Sequence, residues 1–172
     1  TRTHRRRLAA EQMRDAILSV GGELDLQPPK GPTFPPERSA DYGFISTARH
    51  RSVYLPVFRN ALPEFFEAFD FAPPSTVTGK RSESIVPTQA LFLLNHPFIR
   101  QQTESATRRL PGEPITNPRQ GIRRAYQMAL GREPTPRESR VAEQHLTNRS
   151  GQAGWAELFH ALFASADFRY LD

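Results

Sequence analysis

The amino-acid sequence predicts a mainly α-helical protein, a helical bundle with a long proline-rich irregular connection and at most one short strand or hairpin. In the first and last parts of the 172-residue chain, apolar residues recur at three- and four-residue steps, the spacing of a buried helix face. Between these parts, frequent prolines preclude long regular elements. We therefore expect an N-terminal helical part over residues 1–110, with a Pro-, Arg- and aromatic-rich irregular segment, and a C-terminal three-helix part over 111–172, or one continuous domain.

The first predicted helix covers residues 4–20, where apolar side chains form one stripe. Gly21 and Gly22 follow it, and glycine most easily adopts the left-handed conformation that ends a helix. Five prolines and two glycines then fall between residues 26 and 48. They predict a long extended or looped connection, because proline cannot continue a helix.

The segment over residues 52–58 is β-branched and aromatic, which predicts a short extended strand. Pro56 lacks the N–H that a ladder needs, so this strand is expected at a sheet edge or in isolation. Pro63 suits the first turn of a short helix rich in phenylalanine, and Pro73 prevents its continuation. The phenylalanines are expected to be part of the core.

The remaining helices are expected over residues 87–95, 98–110, 121–130, 136–147 and 155–168. Pro87 is expected at a helix start, where its missing N–H costs nothing. Thr135 and Glu138 have the spacing of a capping box, in which each side chain binds the other's backbone N–H. Residues 110–118 contain three prolines and a glycine and are expected to form a hinge.

The net charge of +5 is carried almost entirely by arginine, because lysine occurs only at Lys30 and Lys80. Arginine favours internal ion pairs as well as phosphate contacts, and we weigh ion pairing above nucleic-acid binding. The chain has no cysteine, hence no disulfide, thiolate ligand or c-type haem attachment. No apolar run approaches the roughly 20 residues of a membrane span. The chain starts without methionine, so we expect a fragment of a longer polypeptide.

Catalytic and cofactor motifs are not found in the sequence. Gly79-Lys80-Arg81-Ser82 is similar to the end of a phosphate-binding loop, but the preceding glycine and the final Ser/Thr position do not match. No serine lies in a G-x-S-x-G elbow. The five histidines include no pair at i and i+4. We therefore predict no catalytic residue, no metal ligand and no cofactor, and the sequence favours a protein that is not an enzyme.

The candidate site is a cluster of Arg51, Arg59, Arg81, Asp70 and Asn95. Asp70 follows a short predicted helix, where its carboxylate could receive Arg59 or Arg81. Such a cluster would either bind an anion or form structural ion pairs, because a planar guanidinium can hold a carboxylate or another oxyanion with two hydrogen bonds. We expect the structural pairing, with anion binding as the alternative.

Several short motifs carry a family resemblance. They are Leu8…Glu11…Met13-Arg14-Asp15-Ala16, Arg51-Ser52-Val53-Tyr54, Arg59, Phe69-Asp70, Arg81, Pro87-Thr88-Gln89-Ala90-Leu91 and Leu94-Asn95. Together with residues 162–172 they resemble the planctomycete-type C-terminal domain of unknown function, the "PSD-one" type domain that follows cytochrome c-like modules in large exported proteins. Residues 122–170 also resemble a shorter helical motif of bacterial surface and linker-type proteins.

The resemblance implies an exported location, periplasmic or at the cell surface, and no enzymatic activity. The expected partners are upstream domains of the same polypeptide and other surface or exported proteins. Our leading hypothesis is a non-catalytic structural and interaction module. The first alternative is an anion- or polysaccharide-binding accessory domain, or an enzyme, acting on acidic, sulfated glycans through Arg51, Arg59 and Arg81. The second alternative is nucleic-acid binding through the basic N-terminus.

Overall fold

The computed structural model describes residues 5–31, 47–59, 61–81, 83–110 and 117–171. Within these ranges the chain is mainly helical, as predicted, with one two-stranded antiparallel sheet. The elements are β1 (Arg6–Arg7), α1 (Ala10–Gly21), α2 (Glu64–Ala68), α3 (Pro87–Asn95), α4 (Pro97–Arg108), α5 (Pro118–Leu130), α6 (Pro136–Asn148), α7 (Gly151–Ala164), α8 (Ala166–Arg169) and β2 (Tyr170–Leu171). No helix in the described part of the chain is long and apolar enough to cross a bilayer.

Helix α1 begins six residues later than the sequence predicted. Arg6 and Arg7 instead form β1, which pairs with Leu171 and Tyr170 of β2. This pairing continues through the Leu8 N–H, which donates to a carbonyl at the end of α8 at 2.8 Å. The predicted glycine stop is confirmed, because Gly22 ends α1 with a φ of 75°.

The predicted strand over residues 52–58 is wrong. A 3-10 turn over Ser52–Tyr54 lies there, closed by the Tyr54 N–H donating to the Arg51 carbonyl at 2.9 Å. The Asp15 carboxylate of α1 accepts from the Ser52 N–H at 2.8 Å and from its hydroxyl at 2.6 Å. Since Asp15 takes the N–H that a strand would give to a neighbour, the segment curls over α1.

The proline and capping signals predicted most helix starts. Helices α3, α4, α5 and α6 all carry proline in their first turn. The capping box is confirmed: Thr135 accepts from the Glu138 N–H at 3.3 Å, and Glu138 accepts from the Thr135 N–H at 2.7 Å. The last predicted helix divides into α7 and α8 at Ser165, whose hydroxyl accepts from the Phe168 N–H at 3.2 Å.

The hydrophobic core draws on both ends of the chain. Helix α4 packs between α1 and α7, while α5 and α6 pack on each other and on α7. The largest fully buried apolar side chains are Phe66, Phe159, Phe163, Ile17, Leu18, Leu93, Ile99 and Ile122. This core spans the boundary expected near residue 110, and the two-part division stays a prediction. Most of the predicted proline-rich connection (32–46) and hinge (111–116) lies outside the described residues.

Candidate functional site

Asp70 is the centre of a buried polar cluster just after α2. Its side chain is 17% exposed, and its φ of 61° is in the left-handed region, the only non-glycine case among the described residues. The Ser84 hydroxyl donates to Oδ1 at 2.7 Å, and the Ser84 N–H donates to Oδ2 at 2.9 Å. Arg7 Nη1 and Gln89 Nε2 donate to Oδ2 at 3.1 and 3.2 Å. Four donors therefore converge on one carboxylate.

The donors around Asp70 also bind each other. Arg7 Nη2 donates to Gln89 Oε1 at 3.1 Å, and Arg7 Nη1 also donates to the Ser84 carbonyl. Gln89 Nε2 is 3.2 Å from the Ser84 hydroxyl oxygen. Gln89 is only 1% exposed, although α3 carries several apolar side chains that would be more usual in a buried position. We call Arg7, Asp70, Ser84 and Gln89 the Asp70 network; it ties β1, the end of α2, the segment before α3, and α3 itself.

The Asp70 carboxylate is held in its ionised form. Burial by itself would raise the pKa of Asp70, but the hydrogen bonds from Ser84, the charge of Arg7 and the hydrogen bond from Gln89 together lower it below its ordinary value. A carboxylate with a lowered pKa is a weak base, and all four of the donor groups around it favour its ionised form. The network is thus chemically suited to holding chain segments together.

A second buried cluster surrounds Arg14 on α1. Arg14 is 7% exposed and donates to the His50 carbonyl at 3.1 Å, the Ser52 hydroxyl at 3.2 Å and the Ala48 carbonyl. Burial lowers the pKa of Arg14, while neighbouring Asp15 acts in the opposite direction. Arg14 and Asp15 together fix the irregular segment after residue 47 onto α1.

Other side chains hold the C-terminal end of α1. Arg109, directly after α4, donates to the Ser19 and Val20 carbonyls at 2.6 and 2.7 Å. Glu23 accepts from Gln102 at 2.7 Å and from Ser105 at 2.8 Å, both on α4. These hydrogen bonds lower the pKa of Glu23, although burial opposes them. Carbonyls in the last turn of α1 thus receive a cation, which the helix dipole favours.

Arg132 forms the corresponding junction in the C-terminal part. Its guanidinium donates to both oxygens of Glu138, at 2.9 and 2.7 Å, and to Asp167 at 2.6 Å. It also lies 5.7 Å from the centre of the Tyr126 ring. The hydrogen bonds to Glu138 and Asp167 raise the pKa of Arg132, and the hydrogen bonds from Arg132 and Thr135 lower that of Glu138 to about 2. Arg132 therefore joins the start of α6 to α8.

The five residues of the predicted candidate site do not form one cluster. Arg51 Nε lies 3.8 Å from Asp15, and Arg81 Nη1 donates to both oxygens of Glu11 at 2.7 and 2.8 Å while covering the Phe71 ring. Arg59 is exposed and contacts no polar group within the described ranges. The Asn95 amide donates to the Leu91 carbonyl of its own helix at 3.0 Å.

Sequence reasoning missed the actual partners of Asp70. The cation is Arg7, which is 63 positions away in the sequence, rather than Arg59 or Arg81. Gln89 belonged to a motif that we recognised, but nothing in its local pattern showed that it is buried. One signal was available: Gln89 lies one helical turn before Leu93, so both side chains share a face of α3, and that face is buried.

Histidines are also held by structural contacts. His96 Nδ1 accepts from the Phe98 N–H at the start of α4, and its Nε2 lies 2.9 Å from Glu64. His160 Nε2 lies 2.7 Å from the Leu93 carbonyl, which joins α7 to α3. Across the described ranges, no three His, Asp or Glu side chains are grouped so that they could hold a metal ion.

Two surface depressions lie in the C-terminal part. A polar cleft of about 710 Å³ between α5 and α6 is lined by three arginines and two glutamates, among them Arg119, Arg123 and Arg140. A mostly apolar groove of about 400 Å³ lies between α6 and α7, with Val141 and Ala161 in its walls. Neither contains any of the five predicted site residues.

Comparison with known proteins identifies one family. The profile of the family described as "PSD1: Protein of unknown function (DUF1553)" matches residues 1–146 of the 172-residue chain. No curated protein and no solved structure matches the chain. The matched range includes the Asp70 network, the Arg14 cluster and helices α1 to α5.

Proposed function

Because the chain belongs to the PSD1 family of proteins of unknown function, we propose that it is a non-catalytic structural and interaction module of a larger exported polypeptide with cytochrome c-like modules. One observation supports this proposal above all. Asp70, the acidic residue of the candidate site, is held ionised by Arg7, Ser84 and Gln89. A side chain with these contacts links chain segments, and it has little capacity to take up a proton.

The buried cations support the same proposal. Arg7 and Arg14 each donate to backbone carbonyls or to a carboxylate from a distant part of the chain. A planar guanidinium can bind several acceptors at once, which makes arginine suitable for fixing irregular backbone. The irregular segments that the sequence could not assign to helices are thereby held on α1 and α3.

A hydrolysis panel tests the absence of catalysis. The purified chain, Asp70→Asn and Glu64→Gln are incubated with glycan, ester and phosphate substrates, and the helical circular dichroism signal confirms that each variant is folded. We expect no turnover above buffer with any substrate. Turnover by the wild type that falls in a folded Asp70→Asn variant would refute the proposal.

The exported location is tested separately. The full-length native polypeptide, tagged at its C-terminus, is followed through cell fractionation. We expect it in the periplasmic or surface fraction, together with any haem absorbance of upstream modules. Recovery in the cytosolic fraction would contradict this part of the proposal and would leave the structural role untouched.

A second candidate function, binding of an acidic glycan, is favoured by the cleft between α5 and α6. Arg140 lines this cleft and has no ionic partner within the described ranges, while Arg119 and Arg123 are 81% and 64% exposed in pairs with glutamates. Exposed ion pairs contribute only about 0–1 kcal/mol, so a sulfate group could compete with them. The anion site proposed in this cleft does not include Arg51 or Arg81.

Titration calorimetry with a sulfated hexasaccharide tests this second candidate. We expect binding that weakens with salt and is lost in Arg140→Ala with Arg123→Ala, whereas Arg100→Ala, at an exposed position of α4, retains it. Equal loss in the Arg100 control would indicate general charge attraction and would remove the site. Nucleic-acid binding through the basic N-terminus has less support, because Arg7 is buried against Asp70 and Arg5 lies 3.7 Å from Asp167.

A further inference from the structure

The groove between α6 and α7 combines apolar walls with a few polar groups. Val141, 61% exposed, and Ala161 lie in its walls, and the buried Leu158 and Leu162 also line it. We call this feature the α6–α7 groove. Its volume of about 400 Å³ is within the range of small-molecule sites, in which apolar walls hold the ligand and a few polar groups orient it. The polar groups of the lining therefore indicate which class of ligand would fit.

Each carboxylate that lines the groove has a guanidinium beside it. The three carboxylates belong to Glu138, Glu157 and Asp167. Arg132 donates to Glu138 at 2.7 Å and also to Asp167 at 2.6 Å. Arg5 lies 3.7 Å from Asp167, and Arg149 lies 3.6 Å from Glu157. Three arginines therefore balance the three carboxylates, and none of these carboxylates is left to attract a cationic ligand.

Arg137 is a fourth arginine in this region, and no carboxylate balances its charge. It lines the groove from the first turn of α6, one helical turn before Val141, and its side chain is exposed. The guanidinium has no ion-pair or hydrogen-bond partner among the residues that the structure describes. The groove thus adds one unbalanced positive charge to its apolar walls. A planar guanidinium matches the geometry of a carboxylate.

A buried hydroxyl in the same lining also lacks a partner. Tyr126 lines the groove from α5 and is only 7% exposed, yet its hydroxyl forms no hydrogen bond within the described ranges. Buried tyrosine hydroxyls usually have such a partner. Burial and the charge of Glu138 raise the pKa of Tyr126, so the hydroxyl keeps its proton and can donate it in a hydrogen bond. Because Glu138 directly follows Arg137, the hydroxyl and the unbalanced guanidinium lie towards the same end of the groove.

We propose that the α6–α7 groove binds an alkyl carboxylate. The alkyl chain packs on the walls at Val141 and Ala161. The carboxylate accepts hydrogen bonds from the Arg137 guanidinium and the Tyr126 hydroxyl, two donors that have no acceptor in the described part of the chain. An alkyl alcohol would leave the charge of Arg137 unbalanced, and an alkylammonium would place a second positive charge beside it. The inference goes beyond the proposed interaction role and does not depend on it.

Titration calorimetry with sodium hexanoate, octanoate and decanoate, each below its micellar concentration, tests the ligand class. We expect saturable binding whose affinity rises about three- to fourfold for each added methylene, because each methylene is buried in the groove. Octanol and octyltrimethylammonium should bind at least about fivefold more weakly than octanoate. Absence of saturable binding with decanoate overturns the proposal. An affinity for octanol or octyltrimethylammonium equal to that for octanoate overturns it as well.

Substitutions of the two donors test the position of the carboxylate. Arg137→Ala and Tyr126→Phe should each lower the affinity for decanoate about fivefold, because each removes one hydrogen-bond donor. Arg124→Ala is the matched control, since Arg124 is an exposed arginine of α5 outside the groove lining, and it should leave the affinity unchanged. Equal losses in Arg124→Ala and Arg137→Ala would indicate general charge attraction and would overturn the site.

Urea unfolding without ligand separates a binding role from a structural one. Neither donor has a partner within the folded chain as described, so Arg137→Ala and Tyr126→Phe should keep the urea midpoint of the wild type. A lowered midpoint in Tyr126→Phe would show that the hydroxyl supports the fold, and it would overturn the role of Tyr126 in the site. Each of these results leaves the hydrolysis panel unaffected, so this inference and the proposed function fail independently.

Discussion

Replacing Asp70 by alanine is the sharpest test of the Asp70 network. The change removes the acceptor for Arg7, Ser84 and Gln89 in one step. It also places alanine at a φ of 61°, where an Asp side chain is better tolerated. Arg7 keeps the Ser84 carbonyl and the Gln89 amide oxygen as acceptors, but its charge is no longer balanced.

The size of the effect follows from burial. The side chains of Arg7 and Asp70 are 10% and 17% exposed, and removing one partner of a buried ion pair costs about 3–5 kcal/mol. The retained acceptors favour the lower end of that range. The left-handed backbone adds about 1 kcal/mol for alanine. We expect Asp70→Ala to lower the free energy of unfolding by about 4 kcal/mol, and Asp70→Gly by about 1 kcal/mol less.

Urea unfolding followed by circular dichroism at 222 nm measures these differences. Glu67→Ala is the matched control, because Glu67 is an exposed acidic residue on neighbouring α2, and it should change stability by less than about 0.5 kcal/mol. An Asp70→Ala variant within about 1 kcal/mol of this control would refute the structural role of the network. Equal losses for alanine and glycine would refute the backbone contribution.

Three further predictions concern other parts of the fold. Gly154→Ala should lower stability by about 2 kcal/mol or more in the same urea assay, because its Cβ would collide with backbone, whereas Gly79→Ala, with open space around it, should be neutral. Arg81→Lys should lower the melting temperature by about 1–3 °C in calorimetry, because lysine loses the planar contact with Phe71. The effect is small because the ion pair with Glu11 is partly exposed, and an unchanged melting temperature would contradict a structural role for Arg81. Glu138, whose pKa falls from 4.5 to about 2, contributes stability that is complete above about pH 4.5 and is lost as the pH falls towards 2. In urea titrations, Glu138→Gln should lose less unfolding free energy than the wild type as the pH falls. A pH profile of stability equal to that of the wild type would refute this role of Glu138.

The fold was predictable where the determining interactions are local. Proline in the first turn of α3 and the capping box at Thr135 and Glu138 act within four residues, so the sequence displays them directly. The start of α1 could not be predicted in this way. It depends on Arg6 pairing with Leu171, which is a neighbour only once the rest of the chain has folded.

The candidate site was less predictable for the same reason. Asp70 was recognised as a carboxylate that needs a cation, but the sequence offered many arginines and no way to rank them. The choice of Arg7 depends on where β1 lies after pairing with β2. Likewise, Asp15 acts on Ser52 only because α1 supports the irregular segment after residue 47. Long-range contacts of this kind have no signature in local periodicity.

The antiparallel pairing of β1 with β2 has a topological consequence. Neighbouring strands lie about 4.8 Å apart, so Arg6 and Leu171 are adjacent although almost the whole chain separates them. A linker of a few residues could join the two strands, and new ends could be opened at the exposed turn around Gly79. We expect such a circular permutant to retain the helix contacts in a different chain order.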